Sequence, residues 1–126
     1  MNIKEIIISG LVLFIIDTIY LQSHISFFRK FINTIQKKKF IPNKIAFVLC
    51  YILLIFGINY LVISRKESIL FSFICGLIIY GVYEFTNYAL FSDWTFYMVI
   101  TDMLWGGILF SLTTQFTYLI LKYKVN

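Results

Sequence analysis

Four stretches of the chain are apolar almost without interruption, at about residues 3–21, 44–63, 66–90 and 95–122. Each has the length, on the order of twenty mostly nonpolar residues, that a helix needs to cross the hydrocarbon core of a bilayer. The pattern predicts an all-α, polytopic integral membrane protein: four transmembrane helices in an antiparallel bundle, making one domain over 1–126. The second span is nearly featureless, with Asn59 as its main polar side chain, and a lone Asn in a span is commonly packing glue between helices. In the third, Ser72, Gly76, Tyr80 and Glu84 follow one another at i+4 steps, with Asn87 three residues beyond. Small residues at 72 and 76 let another helix come close; further along, the same stripe turns polar. The fourth span carries Asp102, Trp105 and Gly106 on one face and a second small pair at Gly107 and Ser111. Thr113, Thr114 and Thr117 can return hydroxyl bonds to their own helix and read as structural.

The polar residues between the spans supply starts and stops. Asn2 with Glu5 three residues on resembles a capping pair for the first helix. A cleaved signal peptide is the rival reading, but no small-x-small site follows and Asp17 would stand in the apolar region. Pro42 suits the first turn of the second helix, where its missing N–H costs nothing. Ser64 to Glu67 has the S-x-x-E form of a capping box, which predicts a tight turn and an antiparallel hairpin of helices 2 and 3. Asp93 suits a helix N-terminus, and Trp94 an interface belt. The longest connection, 23–43, places Ile25, Phe28, Phe31, Ile32 and Ile35 at helical spacing, with Arg29, Lys30, Asn33 and Gln36 on other faces. That predicts an amphipathic segment over about 25–36 lying in the headgroup layer. A simple extension of helix 1 is the alternative.

Composition removes the soluble classes: 60% of the residues are hydrophobic and 13% charged, against roughly 45–50% and 25% in soluble domains. The net charge of +5 does not mark a nucleic-acid binder. Six of the eleven basic residues, Arg29, Lys30, Lys37, Lys38, Lys39 and Lys44, lie in the first connection. Anionic headgroups are the partner expected there, at Arg29, Lys30, Lys37, Lys38 and Lys39 above all. The opposite side carries the other five basic residues, too even a division for the positive-inside rule to fix orientation firmly; the concentrated charges favour a cytoplasmic first connection. Cys50 and Cys75 fall within spans and imply no disulfide framework.

Ionisable groups inside a bilayer are costly and default to a functional reading. Asp17 lies about six residues before the end of its span, Glu84 about six before the end of the third, and Asp102 about seven after the start of the fourth. At 1.5 Å per residue, each is roughly 9–11 Å in from the same face. Three carboxylates from three helices therefore share a layer, and Tyr20 and His24 continue the Asp17 face towards the surface. No Lys or Arg is placed to pair with them, so either at least one is protonated or a cation or cationic headgroup sits among them.

Tyr83-Glu84-Phe85-Thr86-Asn87-Tyr88-Ala89, then Trp94, then Asp102-Met103-Leu104-Trp105-Gly106 resembles the pattern Y-D-x-T-N-x-A, a Trp shortly after, and D-x-x-W-G. That is the pattern of the domain-of-unknown-function family numbered 2177, small four-helix membrane proteins. An earlier Asp followed by an aromatic and Leu corresponds to Asp17, Tyr20 and Leu21. The resemblance spans essentially the whole chain. Glu84 stands where the family usually has Asp, and Tyr20 where it usually has Trp. It implies the fold and the site, and no reaction.

Three functions remain open on these residues. In a lipid- or amphiphile-binding protein or enzyme, Asp17, Glu84 and Asp102 supply acid–base or cation-binding groups. Asn87, Tyr80, Tyr83 and Tyr20 would orient the substrate, with Trp105 as an apolar wall. No activated Ser or Cys nucleophile pair, no His-rich metal motif and no cofactor signature accompanies them, and His24 reads as interfacial. In a structural or assembly protein, the same groups form a satisfied polar network. In a proton- or cation-coupled carrier, a path must continue across a far half offering Asn59, Ser72 and threonines, which a homo-oligomer could complete between protomers.

Overall fold

A computed structural model describes residues 1–36 and 43–124; Lys37, Lys38, Lys39 and Pro42, read above as headgroup contacts and a helix start, lie outside the described residues. Four helices follow in order: α1 (Ile3–Gln36), α2 (Lys44–Ile58), α3 (Ile69–Leu90) and α4 (Phe96–Leu121). Each holds a stretch long and apolar enough to cross a membrane, α2 together with the helical turn that continues it to Ile63, and no strand occurs among the described residues. This is the expected all-α, multi-pass membrane architecture.

The start of α1 is the predicted capping box. Glu5 N–H donates to Asn2 Oδ1 at 2.8 Å, and Asn2 N–H donates back to Glu5 Oε1 at 3.1 Å. The end of α1 corrects the sequence reading. The helix does not stop near Leu21 to begin a separate segment but runs on to Gln36 without a break. Nothing between Gln22 and Gln36 is Gly or Pro, so no residue there interrupts the ladder. At 34 residues the helix is about 51 Å long, more than the roughly 30 Å of a hydrocarbon core. Its last turns therefore carry Arg29 and Lys30, both exposed, beyond the apolar span. Ile32 on this extension packs against Trp94, Met98 and Val99.

Asn43 caps α2, accepting from Ala46 N–H at 3.1 Å. After Ile58 the helix widens into one π-helical turn, Asn59–Ile63. The turn that follows is tight, as expected, but its chemistry differs from the S-x-x-E reading. Ser64 ends the π turn, Lys66 turns the chain in the left-handed region, and Ser68 is the cap of α3, accepting from Phe71 N–H at 3.0 Å. The α3 helix accordingly begins at Ile69, three residues later than the sequence reading places it. Tyr118 completes the turn from α4: its hydroxyl lies 2.8 Å from the Glu67 carbonyl and 3.3 Å from that of Val62. Thr95, not Asp93, caps α4, accepting from Met98 N–H at 3.2 Å.

The packing is closest between α3 and α4. A Cβ added at Gly76 would run into the Gly106 carbonyl, and one at Gly106 into the Tyr80 ring. Beside them, buried Ser72 donates to the Phe110 carbonyl at 2.9 Å and meets the Thr114 hydroxyl at 2.7 Å. This is the small-residue face expected from the i+4 stripe. The α1 helix packs on α4, and α2 on α1, with the π-helical end of α2 reaching α3 and α4. Leu13, Ile58, Val62, Leu109 and Phe110 close the centre.

Candidate functional site

The site is built on a repeat of spacing. Asp17 and Tyr20 are one turn apart on α1; Asp102 and Trp105 are one turn apart on α4. Residues at i and i+3 share a helix face. Because α1 and α4 run antiparallel, each aspartate lies opposite the other helix's aromatic ring. Trp105 Nε1 donates to Asp17 Oδ1 at 3.1 Å, and Tyr20 Oη donates to Asp102 Oδ1 at 2.7 Å. The two rings stack between these bonds, 4.2 Å apart and within 7° of parallel. The second Asp17 oxygen accepts from the Tyr51 hydroxyl of α2 at 2.6 Å. Asp17 is thus held by two helices besides its own and is 6% exposed.

Glu84, on α3, is 1% exposed and accepts from Trp94 Nε1 at 2.9 Å. Its carboxyl is near enough to Asp102 for the two to interact electrostatically. Of the three acids assigned to one layer by depth, Asp17 and Asp102 are joined through the stacked Trp105 and Tyr20, while Glu84 is held separately by Trp94. Tyr80 is half-buried, its ring packed over Gly106. Tyr83 and Asn87 stand apart from this group. Tyr83 is 60% exposed, and Asn87 follows one turn on along the outer side of α3.

Two donors to the acids were not expected from sequence. Tyr51 stands about seven residues into α2, the same depth from the same face as Asp102 in α4; the depth argument extended from acids to tyrosines finds it. Trp94 points inward under Ile32 instead of standing in an interface belt, because the α1 extension covers it.

Beside Asp102 the α1 and α4 surfaces leave a cavity of about 220 Å³. Tyr20, His24 and Phe27 line it from α1, and Tyr97, Met98, Thr101 and Asp102 from α4. His24 Nδ1 lies 2.9 Å from the Tyr20 carbonyl, which can only accept, so Nδ1 carries the proton. Among the described residues no group of three or more His, Cys, Asp or Glu is arranged to hold a metal ion.

A second polar layer occupies the opposite half. Buried Glu5 accepts from the Tyr123 hydroxyl at 2.7 Å, which pushes the Tyr123 phenol above its usual range. One turn deeper, Asn59 Nδ2 donates to Ser9 Oγ at 2.7 Å and to the Ile55 carbonyl at 2.9 Å. Asn59 is inter-helix glue, as the sequence suggests. Fully buried Leu13 separates this layer from Asp17 along α1.

A family model described as "Predicted membrane protein (DUF2177)" matches residues 2–119. No curated protein and no solved structure matches the chain.

Proposed function

The chain belongs to the DUF2177 family of predicted membrane proteins, and from that premise we propose that its carboxylate layer binds the polar head of a lipid or other amphiphile. The observation that carries this reading is the cavity against Asp102. At about 220 Å³ it is smaller than the roughly 300–1,000 Å³ of sites that enclose a drug-sized molecule. It accommodates a headgroup, while the acyl part of such a ligand stays in the bilayer against the apolar outer faces of the helices. Arg29 and Lys30 stand less than a turn beyond Phe27 on the same helix, both exposed, and supply positive charge past the mouth for the phosphate of a head. The three carboxyls could move protons, but binding needs no nucleophile and is the simpler use of this arrangement.

One observation favours a second reading. Each acid already has a neutral hydrogen-bond donor: Tyr51 and Trp105 for Asp17, Tyr20 for Asp102, Trp94 for Glu84. Such a network could serve stability alone.

The two readings separate on a single preparation. Full-length wild-type protein and Asp102→Asn are purified in mild detergent, and the lipid each retains is quantified by mass spectrometry beside its melting temperature. The binding reading expects retained amphiphile to fall several-fold in Asp102→Asn with melting near wild type. Equal retention, or a loss that merely tracks unfolding, leaves the structural network as the function of these acids.

A further inference from the structure

We propose that the cavity recognises an ammonium group, as carried by a choline or ethanolamine head. This rests on the reading of the cavity as a headgroup site and names the chemistry of the head. Among the described residues, the lining contains no Lys or Arg and one carboxylate, Asp102. Tyr20 bonds that carboxylate as a neutral donor at 2.7 Å, so the hydrogen bond leaves its charge in place. Glu84, on α3, is near enough to Asp102 for the two carboxyls to interact electrostatically. An anionic head would meet repulsion here.

The remaining wall suits an organic cation. The Phe27 and Tyr97 rings line the space with the Met98 thioether, while the two faces of Tyr20 are taken by Trp105 and His24 and it offers the cavity its edge. Aromatic faces attract cations through their quadrupoles, and quaternary ammonium groups are bound by aromatic cages on this principle. A bare metal ion would want six or more oxygen ligands, or four ligands in a tight tetrahedron, and the lining offers too few. In its neutral form, with the proton on Nδ1, the His24 ring offers Nε2 as an acceptor. It can accept an N–H from a primary ammonium. A zwitterionic head would put its ammonium against Asp102 and its phosphate outward towards Arg29.

The test uses full-length protein in bilayers containing spin-labelled lipids with identical acyl chains and three heads: choline, ethanolamine and glycerol. Electron paramagnetic resonance reads the fraction of each label held by the protein. The proposal expects the choline and ethanolamine labels to be retained about fivefold to tenfold over the glycerol label, between the scale of an exposed and of a desolvated cation–π contact. Tyr97→Ala removes an exposed wall residue (73% exposed) with no hydrogen bond to lose among the described residues, and should reduce the preference several-fold at unchanged melting temperature. Asp102→Asn should abolish it. Adding millimolar choline chloride distinguishes the sources of the ammonium: release of the label means that the free cation suffices, and retention means that the lipid is required, each with the head preference intact. Equal retention of all three heads, or preference for glycerol, overturns the ammonium proposal while keeping the headgroup site. No retained label of any kind overturns both.

Discussion

Glu84, Asp17 and Asp102 are met by donors that carry no charge of their own. Indole and phenol groups satisfy a buried carboxyl's lone pairs while leaving its charge available, whereas an arginine would have cancelled it. Removing such a donor should cost stability, because a buried acceptor is then left unmatched. Trp94→Phe and Tyr51→Phe should each lower stability by about 1–3 kcal/mol, read by thermal or denaturant unfolding in detergent. Glu84→Gln retains an acceptor for Trp94 and should unfold near wild type, yet lose the retained amphiphile with Asp102→Asn. Intact retention in both would remove the acids from function. Asn59→Ala, in the far layer, should leave retention unchanged. The acids were legible because charged residues are conspicuous in an apolar span. Tyr51 and Trp94 were not, since a tyrosine in a span or a tryptophan near its end has ordinary apolar reasons to be there.

Among the helices, the α3–α4 pair depends on the absence of side chains. Gly76 faces the Gly106 backbone so closely that one added methyl would have to push the helices apart. Overpacking of this kind costs typically 1–3 kcal/mol, so Gly76→Ala should destabilise by that amount. Gly57 on α2 has nothing within 4 Å of an added Cβ, and Gly57→Ala should be neutral or slightly stabilising by the same unfolding assay. The Ser72–Gly76 stripe announced this contact in the sequence, since spacing and size are both local properties. Helix ends were read less well. Ser64 and Ser68 both lie before an apolar run, and S-x-x-E chose the wrong one because the π turn carries α2 past Asn59 and displaces the cap by one turn. The extension of α1 is a tertiary effect: amphipathic spacing fits an interfacial helix and a continued one equally, and Ile32 found a partner in Trp94.

For the molecule as a whole, four spans place both termini on one side of the membrane. Reporter fusions at residues 1 and 126 should label the same face; opposite faces would dismantle the shared depth of the three acids. A further consequence lies in the crossed pair Asp17–Trp105 and Tyr20–Asp102. Sliding α1 past α4 by one turn, about 5.4 Å, breaks both bonds in a single step, whichever direction it takes. The pair acts as a latch against axial shear, and the Gly76–Gly106 contact fixes α3 to α4 by shape. Both contacts oppose sliding among α1, α3 and α4. The first half of α2 meets these helices at Tyr51, whose hydroxyl bonds Asp17 and whose ring packs edge-on against Phe14, while its far end is pinned by Asn59 and by the Tyr118 hydroxyl beneath Val62. Among the described residues, lifting the first half of α2 off α1 would break the Tyr51 bond and uncover Asp17 to the bilayer.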